Sequence, residues 1–390
     1  MISVEEAFKK IGEATDSLDV IEIELKSATG YVLAEEYISN LSFPPFDQSA
    51  MDGFAINNSD NQLEFVVVDE LKAGDSASRL ILQNGEACRI FTGAMLPNNT
   101  KAVVKQEDVV RLEEIIKVNK PIPLGENIRY CGEQINDGDI AVAVNTVLNP
   151  GAIGFLSTLG AKRVKVYRKP KIAIIATGNE LIEAGMKLNP GQIYESNTNT
   201  LVSALSVYGF QASTFVVRDS YDLIKNQINE CIESNDLVLI TGGISVGDYD
   251  FVGKILQDIK VEEKFYKVKQ KPGKPLFFGV KGESLIFALP GNPAAVLTSF
   301  YLYVLKALEG LTNRKKSYLT CKKVKLKCGF EKSSKLTFFL KGKIEKDHVA
   351  ILPAQSSAML SSFIEANCLI RLEENRTSWK KDDLVEVYLI

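Results

Sequence analysis

The sequence predicts a multidomain protein of α/β and β parts built around one doubly wound α/β domain, and three observations carry that prediction. Between residues 171 and about 313, apolar strand-like runs alternate with helical patterns, the signature of helices layered on a largely parallel sheet. Short alternating strands broken by turn residues fill the stretches on either side. At 390 residues the chain is too long for one core of ordinary size. The expected layout is a small helical and mixed domain from residues 1–46 plus 138–169, an inserted small β domain at 47–137, the α/β domain at 170–314 and a C-terminal β-barrel-like domain at 315–390.

The chain opens on Ser3-Val4-Glu5-Glu6-Ala7, a capping-box spacing continued by apolar positions at helical period through Phe8 and Ile11, which predicts a docking helix. Asp19 to Leu25 alternates as a strand, and Ala28 to Ala34 reads as a turn into another short element. In Phe43-Pro-Pro-Phe-Asp-Gln-Ser-Ala-Met-Asp-Gly-Phe-Ala55 the two prolines fix an extended entry, and Asp52-Gly53 signals a turn before a strand. That stretch is either a well-formed domain junction or a rigid loop holding Asp47, Ser49 and Asp52 at a cleft. Strands are expected at Glu64 to Val68, Ala87 to Phe91, Ala102 to Gln106 and Glu114 to Val118, with a hydroxyl-bearing turn at Thr92-Gly93 and with Arg129 and Glu133 at an edge. Pro150 starts a helix that Gly160 ends, and a strand at Val164 to Tyr167 leads into the linker Arg168-Lys169-Pro170.

Further on, strands are expected at Lys171 to Ala176, Ala212 to Val217, Leu237 to Ile240, Phe265 to Val268, Pro275 to Val280 and Leu285 to Leu289. Helices are expected from about Asn197 to Tyr208, Tyr221 to Glu233, Asp248 to Ile259 and Pro293 to Leu308. Polar residues gather where these strands end: Thr177-Gly178-Asn179-Glu180, Arg218-Asp219, Thr241-Gly242-Gly243 and Pro290-Gly291-Asn292-Pro293. Ligands bind at that edge of open parallel sheets, so the coincidence of these turns argues for function. The glycines and hydroxyls from Thr241 to Gly247 leave backbone N–H groups free to converge on an anion beside a helix N-terminus, with a tight structural turn as the plain alternative. Asp250 either complements the helix dipole or holds a divalent cation that bridges to the anion. Lys271 and Lys274 flank a Pro-Gly turn that projects both ammonium groups to one side, a geometry suited to a tetrahedral oxyanion or phosphate; the alternative is a solvated basic loop. Alternation returns at Cys321 to Lys327, Leu336 to Leu340, His348 to Leu352 and Leu384 to Ile390, with Gln355 to Ser362 as a hydroxyl-rich loop.

Composition narrows the chemistry. With 46 basic and 49 acidic residues the net charge is −3, and no basic block for nucleic acid or acidic tail is present. No apolar run approaches spanning length, so the expectation is a cytoplasmic protein with no membrane and no nucleic-acid partner. The six cysteines are scattered without a Cys-x-x-Cys pair, and His348 is the single histidine. Zinc knuckles, histidine-rich metal sites and a Ser-His-Asp triad are therefore not indicated. Chemistry is expected to rest on Asp, Glu, Lys, hydroxyls and an oxygen-loving cation such as magnesium.

The motifs Pro44-Pro-Phe-Asp-Gln-Ser-Ala-Met-Asp-Gly-Phe-Ala55, Thr92-Gly-Ala, Ala176-Thr-Gly-Asn-Glu-Leu181, Thr241-Gly-Gly-Ile-Ser-Val-Gly-Asp-Tyr-Asp250, Lys271-Pro-Gly-Lys-Pro275 and Leu289-Pro-Gly-Asn-Pro293 occur in one order over essentially the whole chain. In that order the chain resembles the molybdopterin molybdenumtransferases, relatives of the catalytic part of gephyrin. The resemblance implies a homodimer with an active site completed by the partner subunit, taking adenylylated molybdopterin and molybdate and releasing AMP with Mg2+ or a similar cation. A separate molybdopterin adenylyltransferase would supply the substrate. It further implies that Glu180, Asp219 and Asp250 serve the cation and the adenylate phosphate. Thr241, Gly242, Gly243, Ser245 and Gly247 match the pterin-phosphate loop, and Lys271 and Lys274 match the molybdate-facing lysines. Thr177, Gly178, Pro290, Gly291, Asn292 and Pro293 fall in the substrate-binding turns, Ser356 and Ser357 match the hydroxyl loop, and Asp52, Thr92 and Asp137 correspond to functional polar residues of the smaller domains. The chain departs from the pattern at Ala294-Ala295, where the family often has Ser, and at Lys335 to Lys341, which offers lysines where Arg is usual. A molybdopterin adenylyltransferase is the nearest enzymatic alternative, and a non-catalytic scaffold that keeps the fold is the other.

Overall fold

A computed structural model describes residues 1–244 and 251–390. The capping box forms as the spacing predicts: Ser3 Oγ accepts from the Glu6 N–H while the Glu6 carboxylate accepts from the Ser3 N–H, and the helix Val4–Glu13 follows. Its buried face of Val4, Ala7 and Ile11 sits in the same core as Phe300, Val304 and Leu308. The helix therefore docks the start of the chain onto the α/β domain.

The two halves of the first domain meet in space. Strand Val20–Glu24 pairs antiparallel with Arg163–Tyr167, and Tyr37–Ile38 pairs with Ile140–Val142. Between them lies a six-stranded sheet in the order Ala102–Lys105, Gly53–Ile56, Glu86–Ile90, Glu64–Leu71, Ile115–Val118, Val109–Leu112. The linker is pinned rather than loose. Arg168 makes a bidentate pair with Asp236, 2.7 Å for each bond, and the Lys171 N–H donates to Asp236 Oδ2 at 2.7 Å.

The central sheet has the order Ser213–Val217, Ile172–Thr177, Leu237–Thr241, Ser284–Leu289, Phe277–Lys281, Glu262–Tyr266. Its first four strands are parallel and the last two add an antiparallel edge. Every residue of Ile172–Thr177, Leu237–Thr241 and Ser284–Leu289 is buried, because helices cover both faces; that is why these strands read as unbroken apolar runs. One face packs on Leu201, Leu205, Phe300 and Tyr303, the other on Ile224, Ile228, Val252 and Ile255.

The helical region Pro293–Leu311 differs from expectation in two ways. It is long and apolar enough to cross a membrane, contrary to the reading of the sequence, but 78% of its apolar window is buried inside the protein. It is also not uniform, since Phe300–Val304 forms a π-helical segment. The third helix of the α/β domain is described from Phe251 to Asp258, so its expected start near Asp248 lies outside the described residues.

The C-terminal sheet closes on itself. Cys321–Leu326 pairs with Leu384–Leu389, that strand with Cys368–Leu372, then Thr337–Glu345, then His348–Ile351, which returns to Cys321–Leu326. The result is a five-stranded barrel, in which Cys368–Leu372 is a strand the alternation did not reveal.

Candidate functional site

Three strand-end turns converge at the carboxyl edge of the parallel strands. Gly242 has φ +88°, and a Cβ there would lie 2.6 Å from the Thr177 carbonyl oxygen, so the turn after Leu237–Thr241 runs against the neighbouring strand in a way only glycine permits. A Cβ on Gly291 would lie 3.8 Å from Gly242 Cα, which brings the Pro290–Pro293 turn alongside. Thr177 Oγ1 is buried between these turns without a hydrogen-bond partner among the described residues. The first turn is also tied to the edge strand: the Asn179 N–H donates to Asp219 Oδ2 at 3.2 Å, and the Asp219 N–H donates to Asn179 Oδ1 at 3.1 Å. Glu180 folds back over Gly178, whose missing side chain leaves room for the carboxylate.

The lysine turn is built from below. The Gln270 Nε2–H donates to the Gly273 carbonyl at 3.1 Å, and Gln270, fully buried, accepts from the Tyr303 hydroxyl. Gln270 and Lys271 also pair with Thr337 and Phe338 of the barrel. Lys271 Nζ lies 5.2 Å over the Phe338 ring. Both Lys271 and Lys274 are exposed.

These parts line one cleft of about 900 Å3. Thr177, Gly178, Glu180, Asp219, Gly242, Gly243, Lys271, Lys274, Pro290, Gly291 and Asn292 face it from the α/β domain, and Ser356 and Ser357 face it from the barrel. Carboxylates and ammonium groups thus share one rim. Thr241 and Pro293, also expected here, stand behind the rim: Thr241 closes its strand in the core and Pro293 starts the buried helix. Ser245, Gly247 and Asp250 lie outside the described residues.

Asp52, Thr92 and Asp137 do not line this cleft in their own chain. Asp52 Oδ1 accepts from both the Thr92 N–H and its hydroxyl at 2.8 Å each, and these bonds hold the Asp52 carboxyl below its ordinary pKa. The Asp137 N–H is held by Ser42 Oγ at 3.2 Å. Asp47 and Ser49 build the loop instead of presenting free groups: Asp47 accepts from the Cys131 N–H at 2.7 Å, and the buried Ser49 hydroxyl donates to the Met51 carbonyl at 2.6 Å. The Ser49 hydroxyl is thus engaged inside the junction, while Asp47 stays exposed with Oδ1 engaged. His348 pairs with Asp382 at 2.8 Å on the barrel, away from the cleft.

Sequence reasoning gave no role to Gln270, Gln355 or Lys341, although Lys341 ends the stretch that departs from the family's usual Arg and Gln355 opens the hydroxyl-rich loop. Gln270 and Gln355 line the cleft, and Lys341 is 3% exposed with its ammonium turned inward to main-chain carbonyls. Its position among the lysines of the barrel gave no signal of burial. For a cation, the described residues offer Glu180 and Asp219 and no cluster of three or more acidic, cysteine or histidine donors.

Three family models match in chain order. They are the MoeA N-terminal region (domain I and II) over residues 2–160, the "Probable molybdopterin binding domain" over 173–310, and the MoeA C-terminal region (domain IV) over 323–390. A curated relative from Staphylococcus aureus, named molybdopterin molybdenumtransferase, is 32% identical over 400 residues, covering 100% of this chain and 95% of the relative. One of the same name from Staphylococcus epidermidis is 34% identical over the same shares. Among solved structures, a molybdopterin biosynthesis moeA protein from Pyrococcus horikoshii matches with a TM-score of 0.83 at 31% identity, covering 100% of this chain and 99% of that one. A second structure of the moeA protein from that organism gives 0.85 at 28% identity, with both chains fully covered.

Proposed function

We propose, from the premise that this chain belongs to the molybdopterin molybdenumtransferase family and is a transferase of molybdenum cofactor biosynthesis, that the cleft on the α/β rim is where molybdate meets adenylylated molybdopterin and AMP is released. The observation that carries this reading is the presence of Lys271, Lys274, Glu180 and Asp219 along one cleft. Both reactants are anions. Two unit charges 4 Å apart interact by about 1 kcal/mol in water but about 4 kcal/mol near a protein surface, so bringing the reactants together requires fixed opposite charge close by.

In this reading the Gly242–Gly243 turn offers its N–H groups to the pterin phosphate, beside the buried Thr177 hydroxyl. Lys271 and Lys274 hold molybdate, and their turn, braced by Gln270, places both residues in the lining of the cleft. Glu180 and Asp219, with Asp250, would hold a divalent cation such as Mg2+. Their donors are all oxygens, and two or three carboxylates completed by substrate phosphate oxygens suit that ion. When bound, the cation supplies positive charge against the phosphoryl oxygens of the adenylate.

Asp52, Thr92 and Asp137 are assigned to the same chemistry in a homodimer, where a second copy brings them to this cleft. That assignment is supported by their place on the smaller domains, off the cleft of their own chain. The reading also includes a cytoplasmic setting and a separate adenylyltransferase upstream.

Purified protein given adenylylated molybdopterin, molybdate and Mg2+ is expected to release AMP, followed by chromatography of the nucleotide. Substrate binding without AMP would favour a scaffold. Formation of adenylylated molybdopterin from ATP and molybdopterin would favour an adenylyltransferase.

A further inference from the structure

The barrel side of the cleft is a loop held from within by one buried cation. Lys341 is 3% exposed, and its ammonium donates to the carbonyl oxygens of Ala354 at 2.7 Å, Met359 at 3.0 Å and Ser356 at 3.3 Å. These three bonds use the whole donor capacity of the group. The same strand residue is gripped at its main chain. Gln355 Oε1 accepts from the Lys341 N–H at 3.0 Å, and the Gln355 side-chain amide donates to the Lys341 carbonyl at 2.9 Å. Ser362 Oγ closes the far end on the Pro353 and Ala354 carbonyls, 2.6 and 2.9 Å away. Ala354 sits at φ +55°, a conformation that alanine keeps only where its surroundings over-determine it.

The loop so fixed reaches across to the other domain. Asn292 Nδ2 donates to Ser357 Oγ at 3.0 Å, and the Ala295 N–H donates to the Ser357 carbonyl at 3.1 Å. Strand Thr337–Glu345, which carries Lys341, also pairs through Thr337 and Phe338 with Gln270 and Lys271. One barrel strand therefore bears both the lysine turn and the hydroxyl loop.

We propose that Lys341 is a positioning residue: it touches no substrate, but its ammonium sets the 354–359 loop so that Ser357 fixes the Pro290–Pro293 turn and hence the width of the cleft. The proposal rests on the reading of that cleft as the reaction site. Lys341→Met keeps the length and apolar stem of the side chain but removes the ammonium from all three carbonyls, leaving Ala354's only the Ser362 hydroxyl, Ser356's only the Met359 N–H and Met359's without its lysine donor.

The test uses the full-length protein with Lys341→Met, Lys341→Arg, Ser357→Ala and the Met/Ala double variant. Hydrogen exchange of the amides of residues 354–360 needs no substrate. It is expected to quicken by about tenfold or more in Lys341→Met, while strand Ile172–Thr177 keeps its protection. In AMP release, Lys341→Met is expected to lose about tenfold or more in kcat/KM, mainly through KM, with Lys341→Arg recovering most of it. The double variant should be no worse in kcat/KM than Lys341→Met alone, although its thermal destabilisation exceeds that of either single variant; a residue that merely supports folding would not give that pattern. Unchanged exchange in residues 354–360, or losses in kcat/KM that multiply in the double variant, would overturn the proposal. Quickened exchange in a protein whose wild type releases no AMP would leave Lys341 as the clamp of the loop and instead refute the reading of the cleft.

Discussion

Gly242→Ala isolates what the glycine turn contributes. The substitution adds one carbon 2.6 Å from the Thr177 carbonyl oxygen and 3.1 Å from Thr177 Oγ1, on a backbone at φ +88°. A non-glycine residue in that region costs roughly 1–2 kcal/mol, and forcing an extra carbon against well-packed neighbours costs roughly 1–3 kcal/mol more. The expected total is about 2–5 kcal/mol. Which side yields follows from the sheet: Ile172–Thr177 is paired on both sides and wholly buried, whereas the turn is partly open to the cleft. The turn should move, so activity falls further than stability. Gly291→Ala is the control, because its new carbon meets nothing nearer than 3.8 Å and Gly291 is not at positive φ. Its unfolding free energy is expected within about 1 kcal/mol of wild type, with a slight gain allowed by the stiffer unfolded chain. Denaturant unfolding followed by circular dichroism, beside AMP release, measures both. A Gly242→Ala protein that unfolds with the wild-type midpoint and turns over at the wild-type rate would refute the steric reasoning.

Lys274→Met is expected to raise the half-saturating molybdate concentration about tenfold or more and to weaken its dependence on added salt, read from AMP release at varied molybdate and ionic strength. Asp236→Asn should cost about 1–3 kcal/mol at neutral pH by breaking the bidentate pair with Arg168. Burial alone would raise the Asp236 pKa, but the Arg168 guanidinium and the Lys171 N–H hold it below the ordinary value. The contribution is therefore fully present above the unfolded carboxyl pKa of about 4 and is lost as pH falls through the lower folded value, so the gap between wild type and variant should close only below about pH 4. On the dimer reading, mixing Asp52→Ala and Lys274→Met proteins under subunit exchange, assayed at molybdate far below the half-saturation of Lys274→Met, should restore roughly a quarter of wild-type sites, since half the dimers would be mixed with one intact site each. No recovery in exchanged dimers would place both groups within one chain's site.

The central sheet was legible because a parallel strand covered on both faces cannot alternate. Leu237–Thr241 has to be apolar throughout, and its polar residues can appear only where it ends. The rim turns follow from the same constraint. Lys341 was hidden for the opposite reason: a lysine in a β segment reads as a solvent-facing position, and only the closed barrel, with a loop folded over it, turns that position inward. Cys368–Leu372 escaped because it carries three fully buried residues in a row inside the barrel, so the period of two was absent. Asp47 and Ser49 show the limit of reading polar residues as sites. Short polar side chains beside prolines and glycines bond first to nearby main chain, and only coordinates reveal those contacts.

The division of the cleft between two domains bears on how the charges can be arranged. On the proposed reading, lysines that attract an anion cannot also neutralise the carboxylates of the same cleft, or the field each exerts on its ligand would be spent inside the protein. Lys271 and Lys274 avoid this by standing on a separate turn, whose support comes from the barrel strand and from Gln270 and Tyr303 beneath. Glu180 and Asp219 stand on turns held by main-chain contacts of the sheet. No ion pair joins the two sets among the described residues: the bridges found nearby engage other lysines and acids, such as Lys269 with Glu374. Charges so placed line one cleft from separate turns, and on that reading a pair of anionic reactants entering it would meet both signs already in place, with little reorganisation left to make.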